Sequence, residues 1–413
     1  MTTTEAPPDT SWLHGVVDAA IATIPFYRDR LSGLDATDLA ALPTFDKSTT
    51  AGYGRFPISA GGANGAHRVV ATSGTTGDRM CVAFDPVDYQ RVGDWLEGVG
   101  NRAGLGCDDA LLNTHCYGLW VGGPILDLLA QRSGAGVIPL GPVGASAVLQ
   151  FLADGVGTAI SATPSYMRRL VEAAEIAGFD LRGSGLRLGF IGAEAAEESL
   201  RSKLLSHLPS DFRWVELYGL TETLGPSVAC ALDPDVPELE LNTVDFHVEV
   251  LDLDADVPVP TGDVGELTFT TRNPDCRTPL IRYRTRDLVR ATAGTSASTQ
   301  QMSRIVGRSD HSLKVGGVLV YPSAVAEIVS GLLPVHAEWR ALLHRNGDDD
   351  DLVIEAEAAR QDCALIEQAF QDRVGLGVHV EGKPQGSIAR SHEKSARILV
   401  DSATGSIRTA PHP

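Results

Sequence analysis

From residue 110 to residue 217 the chain repeats one pattern. Short apolar runs at 110–113, 136–140, 158–161, 186–191 and 214–217 alternate with longer stretches whose apolar positions recur at helical spacing. Runs this short and this uniformly apolar fit strands covered on both faces, and helices between them predict a largely parallel sheet in an α/β fold. Two of the helices carry their own start signals. Asp85-Pro86 places a cap before a proline at the first helical position, followed by Tyr89, Val92, Trp95 and Val99 along one side, and Thr163-Pro164 opens a second helix that runs to Gly178. Ahead of this region, Trp12, Val16, Val17, Ile21 and Ile24 predict a helical capping segment that Pro25 stops.

Past Pro234 the period changes to two. Residues 247–251 and 266–271 alternate around Thr261-Gly262-Asp263, which predicts an antiparallel, β-rich subdomain over about 235–305, and the polar stretch 292–301 predicts a surface loop within it. From Asp310 onward the pattern is that of a small α+β unit. A helix from Ser323 would bury Val325, Ile328, Val329 and Leu332, strands lie near 339–343 and 352–355, and a helix spans 365–370. The acidic run 348–351 between those strands predicts a solvated hairpin tip. The expected organisation is a large domain over 1–309 and a small one over 310–413.

Composition narrows the function. A net charge of -19 over 413 residues excludes a broad phosphate-neutralising face, so no nucleic-acid partner is expected, and a polyanionic ligand would have to be gripped locally. Cys81, Cys107, Cys116, Cys230, Cys276 and Cys363 are scattered, with no C-x-x-C pair, which predicts neither structural zinc nor a disulfide framework. No basic, apolar leader opens the chain and no apolar run reaches membrane-spanning length, so the expectation is a cytoplasmic protein without a membrane partner.

Candidate chemistry gathers where strands end. After the apolar run at 69–72, Ser73, Gly74, Thr75, Thr76 and Gly77 form a loop whose amides and hydroxyls would cradle a polyphosphate; the same residues also suit an ordinary hairpin tip. It lacks the lysine of the common phosphate loop. Gly192-Ala193-Glu194 closes one strand, and Tyr218-Gly219-Leu220-Thr221-Glu222 closes the next. Tyr218 offers a face for a base, Thr221 a hydroxyl for a phosphate, and Glu222 a hard oxygen for Mg²⁺ or a helix cap. Asp287, ending the string Arg282 to Asp287, suits the two hydroxyls of a ribose, or pairing with a neighbouring arginine.

The order of these strings carries more than any one of them. Ser73 to Gly77, Gly192 to Glu194, Tyr218 to Glu222, Ile281 to Leu288, Arg304 to Asp310, Val315 to Ser323 and a lysine near the C-terminus together resemble the acyl-adenylate-forming superfamily, and the likeness runs from Leu42-Pro43 to Arg397. Pro164-Ser165-Tyr166, Tyr117-Gly118-Leu119 and the arginine-rich string resemble its phenylacetate-CoA ligase branch. The resemblance implies an enzyme that uses ATP and Mg²⁺ to convert a small aryl acid into its acyl-AMP, then passes the acyl group to CoA or to the phosphopantetheine of a carrier protein. A homodimer is also compatible with it. It implies that Ser73, Gly74, Thr75, Thr76 and Gly77 hold the ATP phosphates, that Ala193, Glu194, Tyr218 and Gly219 line the adenine, and that Asp287 holds the ribose. Arg308 would contact the nucleotide, Glu222 would ligate the metal beside Thr221, and Asp310 would be the hinge of the small domain. Lys394 would be the catalytic lysine, bridging two anions that are driven together in the transition state.

Departures from the family pattern sharpen the expectation. Asp78-Arg79 stands where Lys-Pro is usual, and Gly316-Gly317-Val318-Leu319 replaces an Arg-Gly-Val-Asn string near the pantetheine channel. Cys230 matches the first ligand of a zinc site found in some relatives, but Leu241-Asn242 and Ser296 to Ser298 occupy the other regions, so no zinc is expected. The acid pocket would be lined by His115, Tyr117, Trp120, Leu126, Leu217 and Pro226, whose larger walls and imidazole favour a short aryl acid bearing an amino or hydroxyl group. Two other readings stay open: ATP-driven diazotisation of an aryl amine with nitrite on the same fold, and a noncatalytic nucleotide-binding protein.

Overall fold

The computed structural model describes residues 11–72, 79–292, 301–309, 313–315, 318–346, 349–389, 398–401 and 407–409. Helices α1 (Ser11–Thr23) and α2 (Pro25–Leu31) open the chain and bury Leu13, Val16, Val17, Phe26 and Tyr27. Strands β1 (Arg68–Ala71) and β2 (Cys81–Phe84) pair antiparallel, so the glycine-threonine loop is carried at the turn of a hairpin. Its residues 73–78 lie outside the described residues. Helix α3 (Pro86–Ala103) starts where the sequence places it, with the Asp85 amide donating to Asp88 Oδ2 at 2.8 Å and Gly104 ending it at φ 80°.

Next come β3 (Ala110–Asn113), α4 (Gly122–Arg132), β4 (Gly136–Pro139), α5 (Ala145–Ala153), β5 (Ala159–Ala162), α6 (Pro164–Ala177), β6 (Leu188–Gly192), α7 (Glu198–Leu205), β7 (Arg213–Leu220), β8 (Gly225–Ala231) and β9 (Glu238–Leu241). Strands β10 (Phe246–Leu251), β11 (Val264–Thr271), β12 (Tyr283–Arg290), β13 (Gln301–Ser303) and β14 (Gly307–Arg308) complete the large domain. Its main sheet has the order β13-β9-β8-β7-β6-β5-β3-β4. The run from β4 to β7 is parallel, while β8, β9 and β13 add an antiparallel edge. Alternate side chains go to opposite faces: Leu111, Phe190 and Val215 join the core under α3 and α4, whereas Leu112, Ile191 and Trp214 join the core under α5, α6 and α7. Apolar runs without alternation are what two covered faces demand.

The period-two segment divides between two sheets. β10, β11, β12 and β14 form an antiparallel four-stranded sheet, and β9 and β13 extend the main one.

The C-terminal unit holds β15 (Leu313–Val315), β16 (Val318–Val320), α8 (Pro322–Leu332), β17 (Trp339–Asn346), β18 (Asp349–Ala356), α9 (Arg360–Val374), β19 (His379–Gly382), β20 (Ile398–Asp401) and β21 (Ile407–Thr409). Its five-stranded sheet runs β19-β18-β17-β20-β21, with Val325, Ile328, Val329, Ile366 and Phe370 of the two helices in its core. Leu332, expected inside, is the last residue of α8 and is 41% exposed. The acidic run expected at a hairpin tip extends into β18, whose Asp349, Asp350 and Asp351 pair with Asn346, Arg345 and His344. Among the described residues no helix is long and apolar enough to cross a membrane.

Candidate active site

The C-terminal ends of β5, β6 and β7 lie side by side, which is where open parallel sheets gather ligands. Backbone strain marks the same places. Ala193 (φ 66°) follows β6, Leu224 (φ 62°) follows β7, and Arg282 (φ 51°) and Arg286 (φ 69°) flank the start of β12. L residues rarely adopt this left-handed conformation, and it persists only where surrounding structure imposes it. Close packing explains one glycine: a Cβ on Gly219 would lie 1.8 Å from the Gly225 carbonyl oxygen.

Asp287 organises one half of the site. Register places it directly across from Arg308 on β14, and Arg308 Nη1 donates to Asp287 Oδ1 at 2.7 Å. Tyr218, arriving from β7, donates its hydroxyl to Asp287 Oδ2 at 2.6 Å. Three residues assigned to the nucleotide from separate stretches of sequence thus meet on one carboxylate. Asp287 itself is buried, and burial together with its charge raises the Tyr218 hydroxyl well above the usual phenol range, so Tyr218 stays a donor.

Glu222 organises the other half. It lies in the short turn Thr221–Thr223 after β7, 7% exposed, with Oε1 accepting the Tyr283 hydroxyl at 2.9 Å. Burial raises its pKa, opposed by its own backbone, by Tyr283 and by the positive charges of Lys47 and Arg308. A buried carboxylate is the hard oxygen ligand that a dication takes, and the nearby cations favour its ionised form. Thr221, beside it, is half-buried.

Glu194 is bound differently from a group that faces an open cleft. Its carboxylate accepts the Ser165 amide at 3.2 Å and the Ser165 hydroxyl at 3.0 Å, at the start of α6, and Ala193 is the exposed member of that pair. Gly219 is half-buried between Tyr218 and the Gly225 backbone.

Of the residues expected to line an acid pocket, His115, Tyr117 and Trp120 lie on the loop from Thr114 to Val121, and Leu126, Leu217 and Pro226 on α4, β7 and β8. Among the bonds of this loop, the Thr114 amide and hydroxyl donate to the Ser161 carbonyl at 3.1 and 2.8 Å, the His115 amide to Asn113 Oδ1 at 3.1 Å, the Gly123 amide to the Cys116 carbonyl at 2.9 Å, and the Ala71 amide to the Leu119 carbonyl at 2.9 Å. The Tyr117 hydroxyl and Asn113 Nδ2 both donate to Asp127 Oδ1, at 2.9 and 2.7 Å, and burial and Asp127 raise the Tyr117 pKa. His115 lies under Gly122, where an added Cβ would come within 3.3 Å of it, and is half-buried rather than facing solvent. Leu126 and Leu217 are buried, Pro226 is half-buried, and Trp120 is 39% exposed with the Arg79 guanidinium 5.9 Å from its ring centre.

Lys47 and Tyr283 escaped the sequence reading. The aromatic contacts Phe26–Phe45 and Phe45–Tyr283, at 5.0 and 5.1 Å, and the Arg284 amide bond to the Phe45 carbonyl (2.8 Å) pin the N-terminal segment against β12. That places Asp46 against Arg286 and brings Lys47 near Glu222. The segment is therefore more than a cap, and the available signal was the string Leu42 to Lys47 at the start of the family likeness. Cys230 is buried, accepts from Arg102 Nη2 at 3.7 Å, and has a pKa pushed up to about 11 by burial first and Glu240 second. Ser73 to Gly77, Asp310 and Lys394 lie outside the described residues.

Comparison with known proteins gives a consistent picture. A family model described as AMP-binding enzyme matches residues 69–273, and one described as AMP-binding enzyme C-terminal domain matches residues 317–402. The phenylacetate-coenzyme A ligase of Escherichia coli (strain K12) is 32% identical over 346 residues, covering 80% of this chain and 78% of its own length. That of Pseudomonas putida is 29% identical over 408 residues, covering 92% and 90%. Among solved structures, 2-hydroxyisobutyryl-CoA ligase in the postadenylation state with R3-HIB-AMP shares the fold at a TM-score of 0.83 and 18% identity, over 98% of this chain and 94% of that one.

Proposed function

Because the chain belongs to the acyl-adenylate-forming superfamily, in its phenylacetate-CoA ligase-like branch, we propose that it activates a small aryl carboxylic acid as acyl-AMP and transfers the acyl group to CoA. It is an AMP-forming acid–thiol ligase. In the first step a carboxylate oxygen bonds to the α-phosphorus of ATP and pyrophosphate leaves. In the second a thiol sulfur bonds to the acyl carbon, and AMP leaves.

The observation that carries this reading is the convergence of Tyr218 and Arg308 on Asp287. A carboxylate held by two donors, one cationic, is fixed in place, and its acceptor chemistry suits the hydroxyls of a ribose. Glu222 would hold Mg²⁺ as a hard oxygen ligand, and the ion would neutralise phosphate charge. Lys47 and Arg79 supply cations that the glycine-threonine loop lacks. Lys394 would bridge the attacking carboxylate and the α-phosphate, where a positive charge is worth most in the transition state. His115 offers the polar partner for an amino or hydroxyl substituent on the ring. Phosphopantetheine on a carrier protein is an acceptor of the same thiol chemistry.

The test is ATP–pyrophosphate exchange over a panel of benzoates, aminobenzoates, hydroxybenzoates and phenylacetate, followed by CoA addition with product mass as the readout. Exchange driven by an aryl acid and a CoA thioester product support the proposal. Exchange that needs nitrite and an aryl amine, or none with any acid, overturns it. Lys394→Ala should lower exchange about a hundredfold or more while ATP binding stays near that of the wild type.

A further inference from the structure

The loop from Thr114 to Val121 rests on a polar cluster that the proposed chemistry does not use. Asn113, the last residue of β3, is fully buried, and a buried amide is costly unless each of its groups finds a partner. Here each does. Oδ1 accepts the His115 amide at 3.1 Å and the Ser161 hydroxyl of β5 at 2.8 Å. Nδ2 donates to the Gly123 carbonyl at 2.8 Å and to Asp127 Oδ1 at 2.7 Å, both on α4. The His115 amide can only donate and the Gly123 carbonyl can only accept, so the Asn113 side chain has one orientation. Aspartate or leucine, of similar size, could not meet both demands.

Asp127 extends the cluster to the middle of the loop. The Tyr117 hydroxyl donates to the same Oδ1 at 2.9 Å. The ring below that hydroxyl lies between two glycines: a Cβ on Gly123 would come within 2.9 Å of Tyr117 Cδ1, and one on Gly141 would lie 3.6 Å from Cδ2. The first distance is shorter than packed atoms tolerate, so α4 approaches the ring this closely only with glycine at 123. The helix is itself held by Ile125, Leu126 and Leu129 in the core. One oxygen on a fixed helix thus holds the base of the loop through Asn113 and its middle through Tyr117. His115 and Trp120, the loop residues proposed to meet the acid, lie on either side of Tyr117 in the chain.

We propose that Asp127 is a positioning residue for acid binding: by accepting from Tyr117 and Asn113 together, it fixes the loop on which His115 and Trp120 would meet the substrate. The inference rests on the reading of that loop as the acid side of the site. Tyr117, expected as a wall of the acid pocket, is on this assignment an anchor whose hydroxyl is committed to α4. Asp127 acts by accepting hydrogen bonds and not by its charge, because both partners are donors that a neutral amide oxygen also satisfies. Asparagine can therefore replace it and leucine cannot. A carboxylate that worked by its charge would lose its effect with either substitution.

Three single substitutions in the full-length protein, Tyr117→Phe, Asp127→Leu and Asp127→Asn, test this against wild type. The readouts are ATP–pyrophosphate exchange and hydrogen exchange at the Ala71 amide, which is bonded to the Leu119 carbonyl at the tip of the loop. The probe is the panel acid that gives the fastest pyrophosphate exchange. Tyr117→Phe should raise the KM for that acid about fivefold and Asp127→Leu about tenfold, with kcat and the affinity for ATP measured without acid within about twofold of wild type. Asp127→Asn should keep the KM for the acid within about threefold of wild type. Because Tyr117 acts through Asp127, adding Tyr117→Phe to Asp127→Leu should cost nothing further. Hydrogen exchange at Ala71 should quicken in Tyr117→Phe and Asp127→Leu and not in Asp127→Asn. Retained ATP affinity reports that each variant is folded, and if Asp127→Leu loses it, Tyr117→Phe and Asp127→Asn carry the test. An unchanged KM in Tyr117→Phe overturns the proposal, as do additive losses in the double variant or a loss in Asp127→Asn as large as tenfold. If no panel acid supports pyrophosphate exchange, the proposed function fails by itself, while hydrogen exchange at Ala71 still decides whether Asp127 anchors the loop.

Discussion

The half of the site proposed to hold the nucleotide and the half proposed to hold the acid are built in opposite ways. Asp287, Glu222 and Tyr283 are buried, cross-linked by short hydrogen bonds from three separate segments, and set on backbone forced into left-handed conformations at Arg282 and Arg286. The acid half hangs on one loop. Leu119 and Trp120 at its tip are 48% and 39% exposed. On the proposed assignments, chemistry common to every turnover would rest on a preorganised network, whereas the part that meets a variable substrate would sit on one loop.

Breaking the network at its centre should have the largest effect. Asp287→Ala removes the charged acceptor proposed for the ribose hydroxyls, and a hydrogen bond to a charged group contributes about 2 kcal/mol. The KM for ATP in pyrophosphate exchange should rise about thirtyfold or more, and an unchanged value would remove Asp287 from the nucleotide site. Glu222→Gln should come next, raising the Mg²⁺ concentration for half-maximal activity roughly tenfold. Its pH dependence sharpens the point. Burial raises the Glu222 pKa, so the folded protein holds that proton to higher pH than a free carboxyl, and the proton competes with the metal. The Mg²⁺ midpoint of the wild type should fall as pH rises through that raised pKa, and the glutamine variant should be flat across the same range. Parallel curves would contradict the assignment.

The acid loop should give smaller and more selective effects. Trp120→Ala should raise the KM for the preferred acid about threefold to tenfold and leave the affinity for ATP measured without acid nearly unchanged. An equal weakening of both would show that the two halves are not separate. Smallest is His115→Phe, which should remove the preference for an amino- or hydroxy-substituted ring over its unsubstituted analogue, a difference of about threefold to tenfold measured as the ratio of kcat/KM values. A preserved ratio would place the discriminating group elsewhere.

Local pattern carried much of this molecule. The apolar runs, the caps at Asp85 and Thr163 and the period-two strands each depend on neighbours in sequence, and each forms where the pattern places it. Antiparallel β8, β9 and β13 were less legible, because edge pairing depends on which strand arrives beside which. The arginine-rich string shows the same limit. Arg282 pairs with Glu249, Arg284 with Asp256 and Glu266, and Arg286 with Asp46, so three of its cations brace the scaffold while Asp287 faces the site. Nothing in the spacing of that string separates the two roles. Tyr283 bonding to Glu222, and Lys47 close to the same carboxylate, are meetings of segments dozens to hundreds of residues apart, visible only once the sheets are assembled.

One small contact has a wider consequence. The Ala71 amide is bonded to the Leu119 carbonyl, and Arg79 lies over Trp120, so both arms of the hairpin that ends in the glycine-threonine loop touch the loop that would enclose the acid. A displacement of one by a ligand would be passed to the other through these contacts. Binding free energies are state functions, so whatever factor ATP contributes to the affinity for the acid, the acid must return to ATP. If these loops hold ATP and the acid as proposed, the two substrates of the first step would be joined by a mutual cooperativity whose size can be measured from either side, and Trp120→Ala should reduce it in both directions by one and the same factor.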